Sequence, residues 1–226
     1  FGKSLHGTKR PIIDIMRTTM PISFQLGVAA SIVLIVTGIP MGALAAVRQN
    51  SWIDYLIISF SISVRSIPVF VMAPMMLIVL VLWLDLMKVP VGWDGIFSQK
   101  AIIPVFLMSA GPLLGIVRLM RQGILDTIEQ NYVKTARSKG LRERMVVTRH
   151  ILKNAMTPVL TSTGLTIAGL ITGAFFVELI FGIPGFAGAG IAAFQGRDYP
   201  MILAATLVGA LLIVVANLLV DLGYGV

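Results

Sequence analysis

The chain has 226 residues, of which 57% are hydrophobic and 12% charged, and its mean hydropathy is +0.92. This composition is that of an all-α polytopic membrane protein. The net charge of +8 is carried mostly by one central segment and is not accompanied by the aromatic–basic arrays that bind single-stranded nucleic acid, so no nucleic-acid partner is expected. The absence of cysteine excludes disulfides, thiolate catalysis and cysteine metal sites.

The first twenty residues are polar and mixed, and we expect an extracytoplasmic or interfacial segment over 1–20. The chain opens at Phe1 without Met or a signal-like region, so its true N-terminus is expected to be missing. Five apolar stretches follow, each long enough for the roughly 20 residues that a helix needs to cross a bilayer. They predict spans at 21–47, 55–84, 101–120, 157–181 and 201–222.

Glycine, proline and charge modify several of these spans. Gly38 and Gly42 predict a tight helix crossing in the first span. The second span is too long to be straight and is broken by prolines. Arg65 within it would cost roughly 2.5–3.5 kcal/mol at mid-bilayer, which favours an interfacial helix over 52–65. Alternatively, Arg65 and Ser66 face a translocation path.

The fourth span offers two further polar features. Thr166 belongs to a small, weakly polar face of that span, for which helix packing is favoured over pore lining. Glu178 lies close to the outer end of the same span, and we predict an acid at the membrane interface.

The segment from Arg118 to Pro158 differs from everything around it. It holds nine of the eighteen Lys and Arg residues against three acids, so it must leave the membrane. Its periodicity predicts a helix, a turn at Gly140 and a second amphipathic helix. The first helix would align Leu125, Ile128, Tyr132 and Ala136. The second would carry one row of Met145, Thr148 and Leu152, an adjacent row of Val147 and Ile151, and Arg142, Arg149 and Lys153 on the opposite side.

Periodicity alone leaves three interpretations of this segment open. It could be a basic loop that only sets topology. It could be a helix pair resting on anionic lipid. It could also be a docking element for a cytoplasmic partner.

The segment resembles the EAA loop of permease subunits of binding-protein-dependent ABC importers, and in particular the dipeptide/oligopeptide branch. The resemblance is carried by 132–141 (YVKTARSKGL), 149–155 (RHILKNA) and Pro158. Elsewhere it is carried by 66–70 (SIPVF), the glycine-rich 182–190 and 197–200 (RDYP). It covers essentially the whole chain, and its ends are most similar to the first of the two peptide permeases. The Glu-Ala-Ala of the general motif is Lys134, Thr135 and Ala136 here, and the expected isoleucine comes one place late, at Ile151.

The resemblance implies a type I ABC importer transmembrane domain over 21–222, with a first helix missing and a cytoplasmic coupling loop at 121–156. It implies a multi-pass protein of the prokaryotic inner membrane that forms half of a translocation path. The implied coupling residues are Tyr132, Lys134, Thr135, Ala136, Gly140, Leu141, Arg149, His150, Asn154 and Pro158. The implied partners are a second permease subunit, two cytoplasmic ATP-binding subunits, an extracytoplasmic solute-binding protein and the lipid bilayer.

No catalytic chemistry is expected of the chain itself. It has no G-x-x-x-x-G-K-[ST] phosphate loop, so ATP and Mg would be used by the partner ATPases, and no cofactor or metal site is predicted. A secondary transporter remains the alternative, but it would need intramembrane carboxylates or an ion site at broken helices. A membrane-embedded enzyme is disfavoured because there are only two histidines and no paired acids within the spans. The solute itself is not specified by the sequence.

Overall fold

The computed structural model describes residues 2–5, 9–171 and 175–224, and within them the secondary structure is helical. Long apolar runs adopt helices because lipid offers no hydrogen bonds, so every backbone group must be satisfied within its own segment. The helices are α1 Ile12–Val47, α2 Trp52–Ser66, α3 Val69–Leu77, α4 Gln99–Ile128, α5 Asn131–Ser138, α6 Glu143–Met145, α7 Lys153–Ile171, α8 Phe175–Ile180, α9 Phe186–Gln195 and α10 Tyr199–Tyr224. Two π-helical segments extend α3 and α6, over Ile78–Trp83 and Val146–Leu152.

Helices occupy all five predicted span positions. Among the described residues, α1 and α4 are each long and apolar enough to cross a membrane, and the helices Trp52–Ser66 and Val69–Trp83 make a third candidate if they count as one broken span. The fourth predicted span contains residues 172–174, which lie outside the described residues. Helix α1 begins nine residues before the predicted first span, so residues 12–20 form its first turns.

The chain divides into two compact units. The first comprises residues 1–32, 67–109 and 165–226, and the second comprises residues 33–66 and 110–164. Helices α1, α4 and α7 each contribute residues to both units.

The first unit has an apolar core around α9. The core contains Ile12, Met16, Phe186, Ala193, Met201 and Ala204. Helix α3 lies against α8, where the rings of Phe70 and Phe176 are 5.5 Å apart. The loop that follows α3 is tied to the same unit, because the Gly92 N–H donates to the Phe181 carbonyl at 2.8 Å.

The second unit contains the tight crossing that the glycines of α1 predict. A Cβ built on Gly42 would lie 2.6 Å from the Met120 Cβ and from the Val117 carbonyl oxygen, and one on Gly38 would lie 3.0 Å from Ile116. The predicted close approach at Gly38 and Gly42 is therefore confirmed, and its partner is α4. Helix α4 makes a second such contact, because a Cβ on Gly123 would lie 2.7 Å from the Ala155 carbonyl oxygen.

Candidate coupling site and polar anchors

The predicted coupling segment forms a helical hairpin, which we define as residues 131–152. Helix α5 ends at Ser138, and Gly140 then turns the chain with φ +73°. This left-handed conformation favours glycine, and the position of its missing side chain is open space. The N–H of Gly140 donates to the Arg137 carbonyl at 2.9 Å, which closes the end of α5. The predicted order of helix, glycine turn and helix is confirmed.

The predicted face from Leu125 to Ala136 is wrong, because these residues do not share one helix. Helix α4 ends at Ile128, and Gln130 is extended with ψ 145° before α5 begins. Leu125 therefore lies on a different helix from Ala136. The break carries neither glycine nor proline, so the sequence offers no signal for it.

The predicted rows on the second helix are also largely wrong. The side chains that are buried there are Val146, Ile151, Ala155 and Val159. The first two of these buried residues, Val146 and Ile151, are five positions apart. This spacing arises because Val146–Leu152 is a π-helix, whose hydrogen bonds join residues i and i+5. Of the predicted apolar rows, Ile151 is buried, whereas Met145 and Thr148 are exposed.

The hairpin exposes a mixed apolar and basic surface. Its apolar members are Tyr132, Leu141 and Met145, which are 43%, 37% and 36% exposed. The predicted coupling residues Lys134, Thr135, Arg149, Asn154 and Pro158 are also exposed. His150 is half-buried, and its carbonyl accepts a hydrogen bond from the Asn154 side chain at 2.8 Å.

Ala136 has a different environment from the other predicted coupling residues. Its side chain is only 5% exposed and, with Val133, forms the buried side of α5. Helix α5 contacts the π-helical segment of the hairpin.

An ion pair spans the glycine turn. The Arg137 Nη2 lies 2.7 Å from the Glu143 Oε1, and both side chains are solvent-exposed. The hydrogen bond from Arg137 lowers the pKa of the Glu143 carboxyl, and the same bond raises the pKa of the Arg137 guanidinium. Exposed pairs of this kind add little stability. This pair borders a cavity of about 480 Å³ whose apolar lining includes Leu125, Ile128 and Val147.

A second ion pair in the same unit joins a buried Asp54 to a partly buried Arg121. The Arg121 Nε donates to the Asp54 Oδ1 at 2.8 Å, and the Arg121 Nη2 donates to the Asp54 Oδ2 at 2.7 Å. Asp54 is 3% exposed and also accepts from the Asn50 N–H at 3.0 Å. This two-point geometry fixes the first turn of α2 to α4. Sequence analysis missed it because the partners are 67 residues apart.

Glu178 is buried within the protein rather than exposed at its surface, and its depth at the membrane interface stays a prediction. The side chain is 1% exposed. The Ser23 hydroxyl donates to its Oε1 at 2.6 Å, and the Gly188 N–H donates to its Oε2 at 2.7 Å. The Ser23 oxygen in turn accepts from the Phe186 N–H at 2.7 Å. The carboxylate therefore caps the first turn of α9, where unpaired N–H groups and the helix dipole favour negative charge.

The glycine-rich loop supplies the space for this carboxylate. A Cβ on Gly185 would overlap the Glu178 carboxyl group, whereas one on Gly188 would meet its nearest atom at an ordinary 3.5 Å. The next acid in the chain, Asp198, has a similar role at the start of α10. It is 1% exposed, accepts a hydrogen bond from the Ser4 hydroxyl, and accepts one from the Met201 N–H at 3.3 Å.

The predicted path residues are placed in different units. Arg65 is exposed in the last turn of α2, and Ser66 beside it donates to the Ile62 carbonyl at 2.8 Å. Thr166 is half-buried in α7 and belongs to the first unit. Their role in a path stays a prediction. Among the described residues, no group of three or more His, Cys, Asp or Glu side chains could hold a metal ion.

The long apolar helices are typical of a membrane protein, and comparison with known proteins gives the family. Residues 38–226 match the model of the family described as binding-protein-dependent transport system inner membrane component. The chain therefore belongs to this family, and the resemblance drawn from the coupling segment is confirmed.

Named relatives lie in the peptide permeases. The chain is 32% identical over its whole length to the dipeptide transport system permease protein DppB of Bacillus subtilis, of which it covers 72%. It is 36% identical to DppB of Lactococcus lactis, with 98% of the chain covering 72% of that protein. It is 35% identical to the oligopeptide permease OppB of Salmonella typhimurium, with 93% of the chain covering 69% of that protein.

Solved structures confirm the fold class. An inward-facing form of the MetNI methionine ABC transporter superposes with a TM-score of 0.74 at 16% identity, over 93% of this chain and 95% of that one. An amino acid ABC transporter superposes with a TM-score of 0.69 at 17% identity, over 93% and 92%. The predicted all-α, type I ABC importer transmembrane domain is confirmed by these matches.

Proposed function

We propose that the chain is a permease subunit of an ATP-driven importer of peptides, forms half of the translocation path and couples to cytoplasmic ATPases through 121–156. The peptide substrate is supported by the dipeptide and oligopeptide permease names of the relatives at 32–36% identity. The proposal places the chain in a prokaryotic inner membrane, with 121–156 on the cytoplasmic side.

The observation that carries the coupling role is the exposed surface of the hairpin. A short helix that exposes Tyr132 and a turn that exposes Leu141 present apolar side chains within a segment that is otherwise charged. Aromatic and apolar side chains of this kind form the centre of protein interfaces when a polar rim surrounds them. Here the rim would be Lys134 and Arg149, which are exposed on the same hairpin, and Asn154, which is exposed at the start of α7.

The hairpin is also built to transmit movement. The π-helical segment continues directly into α7 at Lys153, so a force on the hairpin acts on a helix that contributes to both units. Two ATP-binding subunits would dock on this chain and a second permease, and they would use ATP and Mg. An extracytoplasmic solute-binding protein would deliver the peptide. This chain itself would bind no cofactor.

Co-purification with the ATPase tests the docking surface. The double variant Tyr132→Glu with Leu141→Glu places two charges on exposed positions without disturbing the buried Val133 and Ala136. We expect the ATPase to co-purify with the wild type and to be lost from this variant. Leu86→Glu is the matched control, because Leu86 is 67% exposed in the first unit, far along the chain from the hairpin. Equal ATPase recovery from the double variant and the control would contradict the docking assignment.

A second experiment tests transmission through the turn. Gly140→Pro cannot adopt the observed φ of +73°, because proline fixes φ near −65°. We expect normal membrane insertion but loss of ATP-dependent peptide uptake in vesicles. Normal uptake by this variant would exclude coupling through the hairpin. Uptake by the wild type without any ATPase would instead favour a secondary transporter.

A further inference from the structure

A second cavity of the second unit lies beside the ion pair of Asp54 and Arg121. Its volume is about 510 Å³, and its lining consists of Asp54, Tyr55, Ile58, Arg118, Leu119, Arg121 and Gln122. All of these residues come from α2 and α4. The cavity therefore combines two guanidinium groups with apolar side chains on the same pair of helices.

The charges within this cavity are not balanced. The guanidinium of Arg121 is occupied by Asp54 through two hydrogen bonds. Gln122 donates its amide to Asp126 at 2.6 Å. Arg118 is exposed and makes no ion pair with any acid of residues 2–5, 9–171 and 175–224. The cavity thus has one positive charge in excess, and it is on Arg118.

The surroundings of the charge are those of a membrane interface. Trp52 and Tyr55, in the first turn of α2, are 73% and 63% exposed. Tryptophan and tyrosine are enriched where a transmembrane protein meets the lipid headgroups. Ile58 and Leu119 give the cavity an apolar side along the helices, which a freely soluble anion would not need.

We propose that this cavity binds the headgroup of an anionic phospholipid, with its phosphate on Arg118 and its acyl chains along Ile58 and Leu119. Basic pockets between helices on the cytoplasmic side are suited to such headgroups. The Asp54–Arg121 pair forms one side of the site, since it links the first turn of α2 to α4. This inference rests on the cytoplasmic placement of 121–156 in the proposed function.

The test is lipid retention by the assembled transporter. The purified complex is incubated with equal amounts of phosphatidylglycerol and phosphatidylcholine in detergent, and bound lipids are counted by native mass spectrometry. We expect the wild type to retain phosphatidylglycerol in preference to phosphatidylcholine. Arg118→Gln should lower phosphatidylglycerol retention about five-fold, which corresponds to one basic residue at an anionic surface.

Two further variants make the result specific to this site. Arg118→Lys keeps the charge and should retain most of the preference. Arg48→Gln is the matched control, because Arg48 is exposed in the turn between α1 and α2 and does not line the cavity. It should leave retention unchanged. The Tyr132→Glu, Leu141→Glu variant, purified without the ATPase that it is expected to lose, should also retain the lipid, so failure of the coupling assignment and failure of this inference are distinguishable.

Four results would overturn the inference. The first is an equal loss of phosphatidylglycerol in Arg118→Gln and Arg48→Gln. The second is equal retention of the two lipids by the wild type. The third is displacement of the lipid by millimolar inorganic phosphate, which would make the cavity a site for soluble anions. The fourth is retention by the isolated chain but not by the complex, which would show that a partner subunit covers the cavity.

Discussion

The two units of the chain hold their buried carboxylates by different chemistry. In the first unit, Glu178 is 1% exposed and is held by neutral donors, the Ser23 hydroxyl and the N–H groups that open α9. In the second unit, Asp54 is 3% exposed and is held by the guanidinium of Arg121. Both carboxylates fix the beginning of a helix, but only Asp54 does so with a full opposite charge.

The two kinds of contact should respond differently to small movements of the helices that they join. A carboxylate bound by backbone N–H groups can be satisfied only while α9 keeps its first turn, so Glu178 depends on local geometry. An ion pair retains some attraction when the helices move slightly, because Coulomb forces fall off slowly with distance. The second unit, which carries the proposed coupling hairpin, therefore uses the more tolerant bond.

The largest expected effect is that of Glu178→Ala. It removes the acceptor for the Ser23 hydroxyl and the Gly188 N–H together, and each unsatisfied buried donor costs about 1–3 kcal/mol. We expect a loss of about 3 kcal/mol, seen as a lower thermal unfolding midpoint in detergent. Ser23→Ala should have a smaller effect, because it leaves one buried donor, the Phe186 N–H, without its acceptor instead of two. A midpoint unchanged in Glu178→Ala would mean that the carboxylate does not fix α9.

Arg121→Ala is the corresponding test in the second unit. It leaves Asp54 buried without its cation, and breaking a buried pair in this way costs about 3–5 kcal/mol. The Arg121 side chain is 23% exposed, so solvent should reduce the loss to about 2 kcal/mol. The double variant Asp54→Ala with Arg121→Ala should be more stable than the sum of the single losses predicts. If the single losses simply add in this double-mutant cycle, Asp54 and Arg121 are not energetically coupled, and the pair does not stabilise the second unit.

Two glycines near Glu178, Gly185 and Gly188, provide a further test of how this carboxylate is held. Gly185→Ala places a Cβ into the Glu178 carboxyl group, although the backbone at φ −92° suits alanine. We expect destabilisation of about 1–3 kcal/mol, as for other overpacked sites. Gly188→Ala, in the first turn of α9, is the control, because the nearest atom there is at 3.5 Å. Alanine there should be neutral or stabilise by up to about 1 kcal/mol. Equal losses at both positions would indicate a general intolerance of the loop.

Features with a local signal were predictable from the sequence. The apolar runs predicted where the long helices lie, Gly38 and Gly42 predicted a tight crossing, and Gly140 predicted the turn of the hairpin. The resemblance to the permease family rested on equally local motifs and was confirmed.

The anchors could not be predicted, because their partners are distant along the chain. Asp54 and Arg121 are 67 residues apart, and Ser23 and Glu178 are 155 apart. An acid near the end of an apolar run is compatible with an exposed side chain or with one buried among hydrogen-bond donors. Only the folded structure distinguishes the two. The rows of the second hairpin helix failed for another reason. A π-helix changes the spacing of buried side chains, and no residue type in this segment predicts where it occurs.

The smallest expected effect concerns the exposed pair across the glycine turn. Arg137 lowers the pKa of Glu143, so the stabilisation that the pair gives is present at pH values above the ordinary pKa of glutamate. It is lost as the pH falls through the lowered pKa. Hydrogen exchange of the amides from 137 to 143 should be slower in the wild type than in Glu143→Gln at neutral pH and low salt.

That difference should shrink in strong salt, because solvent ions screen an exposed pair. It should also vanish in acid, where both proteins have a neutral side chain at position 143. Strong salt should leave hydrogen exchange at the start of α9 unchanged, since the donors that hold Glu178 there are neutral. Exchange at 186–188 that changed with salt as much as exchange at 137–143 would contradict the distinction between the two kinds of anchor.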